Sequence, residues 1–295
     1  MERPAETTNF RYPGRGHILR YARLAIDGSS DGLVEGLLPA LDDLCDAGGA
    51  VRLGAMALLV DYAAGMLAMQ TVAPDWTVTH DLAMHLTGVA PPEGELEADC
   101  RVLRAGKSAV ISETEVRTPG GQEVARAYVT FNRVSRREGT PGVSDTKRVN
   151  LAEADEVPRR PLDEAIGFRF SEPPSGPAEK HGHGDRHWVE FDHIPFIHNS
   201  LGAIQGGVVA LSLERGGSWA AEAELGRPCR TTDLHLHYLA LGRSGPFRAR
   251  AEVLRVEPTG TVVSRVELVD TGAEDRLLAL GVATAEPVDT ALSGR

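Results

Sequence analysis

The chain has 295 residues, 42% of them hydrophobic, and a formal net charge of −11 at pH 7. That length is enough for two domains of ordinary size, each with its own core. The acidic balance argues against a general nucleic-acid binder, which needs surplus Lys and Arg to neutralise phosphates, but leaves room for an anionic ligand held by a few local cations.

The first segment, MERPAETTNFRYPGRGHILR, is polar and rich in Pro and Gly, with no apolar region of the kind a secretory leader carries. It reads as an extension running to about Gly32. Next comes GAMALLVDYAAGMLAM, Gly54 to Met69, which is apolar on every side. A surface helix shows one apolar stripe, so this pattern predicts a helix surrounded by protein. No stretch reaches 18 uninterrupted apolar residues, and no membrane partner is expected. Four segments follow: Thr77 to Leu86, Leu96 to Arg104, Ser112 to Val116 and Glu123 to Phe131. They show partial alternation and β-branched enrichment, separated by turn signals such as APPEGE and TPGG. A helix followed by an antiparallel meander predicts an α+β domain. A polar, charged stretch then reads as a linker, 136–160, between an N-terminal domain, 1–135, and a C-terminal domain, 161–295. The second domain opens on HWVEFD, His187 to Asp192, a strand pattern.

From there the chain repeats itself. NSLGAIQGGVVALSLERGGS, Asn199 to Ser218, is the counterpart of DAGGAVRLGAMALLVDYAAG, Asp46 to Gly65. In both, a Gly-containing loop runs into an apolar helix that one carboxylate interrupts. Asp61 lies 15 residues after Asp46, and Glu214 lies 15 residues after Asn199. A charge inside a buried helix costs several kcal/mol in order of magnitude unless it is paired or hydrated. Its recurrence at matched positions predicts a polar cavity built into the fold. The strands repeat too: RTTDLHLHYL matches TVTHDLAMHL, with Asp81 on Asp233 and His85 on His237, and three further strand pairs follow at offsets of 151 to 154.

The pattern N-x2-G-x2-[H/Q]-G-G-x6-[D/E] in NSLGAIQGGVVALSLERGG, with TTDLHLHYLALGRSGPFRARAEVLR after it, resembles the PaaI-type hotdog thioesterases of the 4-hydroxybenzoyl-CoA thioesterase superfamily. The resemblance covers roughly Leu37 to Val134 and Trp188 to Pro287. It implies two tandem hotdog domains, each an antiparallel sheet wrapped around a central apolar helix, with one chain imitating the usual dimer. The implied activity is hydrolysis of an acyl-CoA thioester at a composite site, with loop and helix N-terminus from one hotdog and carboxylate from the other. No metal or redox cofactor is implied, since coenzyme A belongs to the substrate. A homo-oligomer is the expected assembly.

Two composite sites follow from this resemblance. Site one joins Asn199, Gln205, Gly206 and Gly207 to Asp61. Site two joins Asp46, Arg52, Leu53 and Gly54 to Glu214 and Ser218. Free N–H groups at a helix N-terminus stabilise a developing oxyanion. Gly206 is expected in that role, and Asp61 or Glu214 as general base on water or as nucleophile. Burial would raise such a carboxyl toward the working range. Site one retains more of the pattern, with Gln205 where many members carry His, and Gly65 where some carry a Thr hydroxyl. In site two, Asp46, Arg52 and Leu53 replace Asn, His and the first Gly. Asp46 would repel an oxyanion unless Arg52 neutralised it, and Arg52 paired with Glu214 would close the site.

Plainer readings stand beside these. Both carboxylates suit buried ion pairs, Gly206 and Gly207 suit tight packing, Asn199 suits a turn cap, and Ser218 a small helix residue. His235 and His237 share a strand face, but no third ligand is in view, so no metal site is expected. The His181 to His187 cluster reads as a solvated loop. Arg101, Arg104 and Lys107 suit either coenzyme A phosphates or simple solvation. Cys45, Cys100 and Cys229 form neither a CxxC pair nor a disulfide framework, which fits a reducing, cytoplasmic setting. Two alternatives to hydrolysis remain open: a non-catalytic acyl-CoA-binding or regulatory hotdog, and a hotdog hydratase or dehydratase. The latter usually depends on a His–Asp pair, but the position before the Gly pair is Gln205 in one copy and Arg52 in the other.

Overall fold

A computed structural model describes residues 12–30, 32–136, 148–151, 159–171 and 187–289. The N-terminal part forms α1 (Ile18–Tyr21), β1 (Ala25–Asp27), β2 (Leu33–Pro39) and α2 (Leu53–Val72). Then come β3 (Trp76–Leu86), β4 (Glu95–Ala105), β5 (Ala109–Arg117), β6 (Glu123–Val134) and β7 (Arg148–Asn150). The C-terminal part has α3 (Leu162–Ile166), β8 (Arg169–Phe170), β9 (His187–Phe191) and α4 (Gly206–Leu225). It ends on β10 (Cys229–Tyr238), β11 (Phe247–Val256), β12 (Val262–Asp270) and β13 (Arg276–Pro287).

Two central helices and eight meander strands therefore lie where the apolar runs and turn signals place them. The arrangement is a tandem hotdog. α2 is buried on nearly every side, with Leu53, Met56, Leu58, Leu59 and Leu67 at most 1% exposed. Each such side chain contributes on the order of 1.5–3 kcal/mol through burial. α2 is long and apolar enough to cross a membrane by length and composition alone. Yet 67% of its apolar window is buried inside the molecule, which makes it a core helix.

Both sheets merge into one 13-stranded antiparallel sheet, in the order β7-β1-β2-β4-β5-β6-β3-β10-β13-β12-β11-β9-β8. The sequence predicts two sheets side by side. The junction is β3 against β10, which satisfies backbone groups that would otherwise leave two bare edges. Its register sets Asp81 opposite His237, Ala83 opposite His235 and His85 opposite Asp233. Residues that align as equivalents in the repeat therefore meet as unlike partners across a pseudo-twofold axis.

Several pieces were not foreseen. β2 is the first hotdog's counterpart of β9, and its Leu38 pairs with Leu96 as Phe191 pairs with Phe247. Within the stretch read as a linker, Arg148–Asn150 forms β7 on the edge strand β1. The N-terminal extension is anchored where His17 Nε2 meets the His198 carbonyl at 2.6 Å.

α2 and α4 pack closely through glycine. A Cβ on Gly207 would lie 2.8 Å from Leu58 Cα and 2.9 Å from the Ala57 carbonyl oxygen. The packing role expected for Gly207 is therefore met by a helix–helix contact, not by a helix–sheet one.

Candidate active site

Asp61, on α2 of the first hotdog, meets the N-terminus of α4 in the second. Its Oδ2 accepts from the Gly207 N–H at 3.0 Å and from Gln205 Nε2 at 2.9 Å. Its Oδ1 accepts from the Thr79 hydroxyl at 2.9 Å. The Gln205 amide also caps α4 by accepting the Val208 N–H at 2.9 Å. Burial pushes the Asp61 carboxyl up to about 6, against the pull of the Thr79 hydroxyl and the Gly207 N–H.

Gly206 opens α4 beside this carboxylate. A Cβ there would lie 2.6 Å from Asp61 Oδ1, so only glycine admits the approach. Its carbonyl accepts the Tyr238 hydroxyl at 3.0 Å. Its N–H has no intramolecular acceptor among the described residues. One helix N-terminus thus divides its donors: Gly207 binds the carboxylate, and Gly206 keeps a free N–H.

Asp61, Gln205 and Gly206 line a cavity of about 1120 Å³. Met66, Met69, Phe131, Ile204, Val209 and Leu241 supply apolar wall, and Tyr12, Arg20, Arg148 and Asn150 also line the cavity. Gly65 also faces this space, and Thr79 supplies the hydroxyl it lacks.

At the equivalent place in the other half the carboxylate is buried and paired. Glu214 Oε2 accepts from Arg52 Nη2 at 2.8 Å and Nε at 3.2 Å. Arg52 Nη1 also donates to Asp163 Oδ1 at 2.7 Å, while Arg215 Nε donates to Asp163 Oδ2 at 2.7 Å. Burial raises the Glu214 carboxyl above its ordinary range despite Arg52. Asp163 is buried too, but Arg52 and Arg215 outweigh that burial and hold it below its ordinary range. The Arg52–Glu214 pair thus has Asp163, from α3, as an unforeseen third member. Leu53 and Gly54 are buried in the first turn of α2, and Ser218 is buried with its hydroxyl on Arg215.

Asn199 lies on the cavity wall, but its side-chain carbonyl accepts the Leu201 and Ala203 N–H groups at 2.8 and 3.0 Å. Asp46 does the same for Gly48 and Ala50 at 2.8 and 3.3 Å. Both side chains fold the loop before a central helix, the cap role weighed for Asn199. Arg230, not Arg52, neutralises Asp46, at 2.5 Å.

Other candidates fall elsewhere. Arg101 is engaged by Glu113 at 2.5 Å, and neither Arg104 nor Lys107 lines the cavity. His187 is buried on β9, so the solvated-loop reading fails for it; His181 and His183 lie outside the described residues. The third partner missing from the local sequence of His235 and His237 is Asp81, across the strand junction.

Thr79 and Tyr238 escaped the sequence reading. A β-bulge between Thr79 and Asp81 turns the first inward and the second outward; without it they would share a face. A bulge between Thr231 and Asp233 does the same in the second half. The repeated Thr-x-Asp was the available signal.

Residues 48–125 match the Thioesterase superfamily. No curated protein matches the chain in sequence. Among solved structures, a protein described as a thioesterase from Novosphingobium aromaticivorans is similar at 16% identity and a TM-score of 0.58, covering 90% of this chain and 98% of that one. The tesB protein of Mycobacterium avium subsp. paratuberculosis is similar at 11% identity and 0.57, covering 90% and 96%. An acyl-ACP thioesterase from Bacteroides thetaiotaomicron is similar at 12% identity and 0.54, covering 86% and 98%. At these identities the likeness is one of fold, and it spans both halves. The chain is a tandem hotdog protein by fold, and its residues 48–125 are similar to the Thioesterase superfamily. That match supports acyl-thioester hydrolysis as its class of chemistry.

Proposed function

We propose that the chain hydrolyses an acyl-CoA thioester at the cavity holding Asp61, in the manner of a PaaI-type enzyme. One observation carries this reading: of two pseudo-equivalent carboxylates, Asp61 opens onto a cavity of about 1120 Å³, whereas Glu214 is buried and paired with Arg52. The free N–H of Gly206 polarises the thioester carbonyl and stabilises the oxyanion. Asp61, ionised above about pH 6, activates water or attacks the carbonyl carbon. Gln205, Thr79 and the Gly207 N–H hold the carboxylate in place. Tyr238 fixes the Gly206 peptide, and the apolar wall receives the acyl group. A homo-oligomer and a cytoplasmic setting belong to the same proposal; the three free cysteines fit the latter.

The test is thiol release from short, medium, long and aryl acyl-CoAs, with acyl-ACP as a parallel carrier. Wild type, Asp61→Asn and Glu214→Gln are compared. Asp61→Asn is expected to lose at least about a hundredfold in kcat, the usual scale for a lost acid–base group, and Glu214→Gln to retain wild-type rates. Binding of acyl-CoA without release by the wild type would favour the non-catalytic binding protein instead.

A further inference from the structure

On the solvent face of the β3–β10 junction, opposite the active-site cavity, Asp81 and two histidines converge. Asp81 Oδ2 lies 3.0 Å from His235 Nε2 and 2.8 Å from His237 Nδ1. One donor atom from each residue falls within a common 4.8 Å span, and all three side chains have access to solvent. The geometry points to a binding site for a divalent transition ion, with zinc the best-suited probe.

Two imidazoles and one carboxylate are a donor set that zinc takes, with a water completing the tetrahedron. Bonds of about 2.0–2.2 Å require donors roughly 3.2–3.6 Å apart. Opening the present 2.8 and 3.0 Å contacts by a few tenths of an ångström makes that room. Exposed side chains shift that far at little cost, and a coordinated ion replaces hydrogen bonds that converge on a single oxygen.

The pseudo-twofold axis supplies an internal control. It carries Asp81, His235 and His237 onto Asp233, Ala83 and His85. At the second place His85 and Asp233 form a pair at 2.6 Å, with alanine where the third donor would stand. One junction thus holds a complete triad and its incomplete image. The complete triad draws Asp81 of the first hotdog to His235 and His237 of the second, so a bound ion staples the halves together. On the other side of the same strands, Thr79 holds Asp61 and Tyr238 holds Gly206, so the staple braces the frame of the active site.

The experiment uses the full, tag-free chain stripped with chelator and titrated with zinc chloride by calorimetry, with thermal unfolding alongside. The wild type is expected to take up one ion more than His235→Ala or Asp81→Asn, and zinc should raise the unfolding midpoint only where the triad is intact. His85→Ala should keep the wild-type stoichiometry, and Ala83→His should add a further ion. Metal-free unfolding midpoints of His235→Ala and wild type should coincide, separating lost ligation from lost folding. Zinc uptake that is absent in the wild type, or the same in wild type, His235→Ala and Ala83→His, overturns the site.

Discussion

At the scale of single residues, the balance at Asp61 sets both chemistry and stability. Burial lifts its carboxyl to about 6, well above the ordinary value of 3.8, so the folded chain holds a proton the unfolded chain has lost between those two values. The sign follows: the group favours the fold below about pH 4, and that contribution disappears as pH rises through 6. At neutral pH the ionised carboxylate is a cost on the order of 1–3 kcal/mol. Turnover should therefore fall as pH drops through about 6, while Asp61→Asn should unfold at a higher temperature than wild type at pH 7.5. That advantage should shrink at pH 5. Thermal unfolding at the two pH values decides it, and a variant less stable than wild type at pH 7.5 would contradict the assignment. Asp61, Gly206 and Gln205 each stood out in a loop-to-helix pattern that is local in sequence, and it was the family resemblance of that pattern that implied their meeting. Thr79 was not, because its inward direction depends on a bulge one residue away.

Helices α2 and α4 are near-equivalent elements with opposite fates. Both present a carboxylate to the other's first turn, but Arg52 fills the space in one place and the Gln205 amide borders it in the other. Breaking a buried pair by removing one partner leaves an uncompensated charge, at a cost of about 3–5 kcal/mol. Arg52→Met should lose stability on that scale in a urea titration, and adding Glu214→Gln should recover part of it. Turnover per folded molecule should stay at the wild-type level in both. Full stability in Arg52→Met alone would remove the case for a structural ion network. The sequence raised this pairing as one option, but Asp163, which completes it, lies 111 residues from Arg52 on a short helix. The eight long strands were legible from alternation and turns. β1, β7 and β8, of two or three residues each, carry too little pattern to declare themselves.

For the whole molecule, the continuous sheet and the α2–α4 contact tie the hotdogs into one body. β3 and β10 share a ladder, and the core runs through both central helices. Such a chain should unfold as one cooperative unit. The tryptophans allow the test, since Trp76 belongs to the first hotdog, and Trp188 and Trp219 to the second. Urea midpoints reported by Trp76 alone, in Trp188→Phe/Trp219→Phe, and by the other two, in Trp76→Phe, should coincide once each is compared with its own circular dichroism. Separate fluorescence and dichroism midpoints would mean that each half melts on its own.

The sequence by itself determined the duplication, the buried helices and the order of the long strands, while the pairing of a glycine loop with a distant carboxylate came from the family resemblance that the loop-to-helix motif carries. Each is written in short-range periodicity or in a motif a few residues long, and the backbone responds to both locally. Tertiary structure alone decided which carboxylate faces open space, that two sheets become one, and that Asp81 joins His235 and His237. Those outcomes depend on side chains more than a hundred residues apart filling, or failing to fill, the same few cubic ångströms, and no local pattern records that competition.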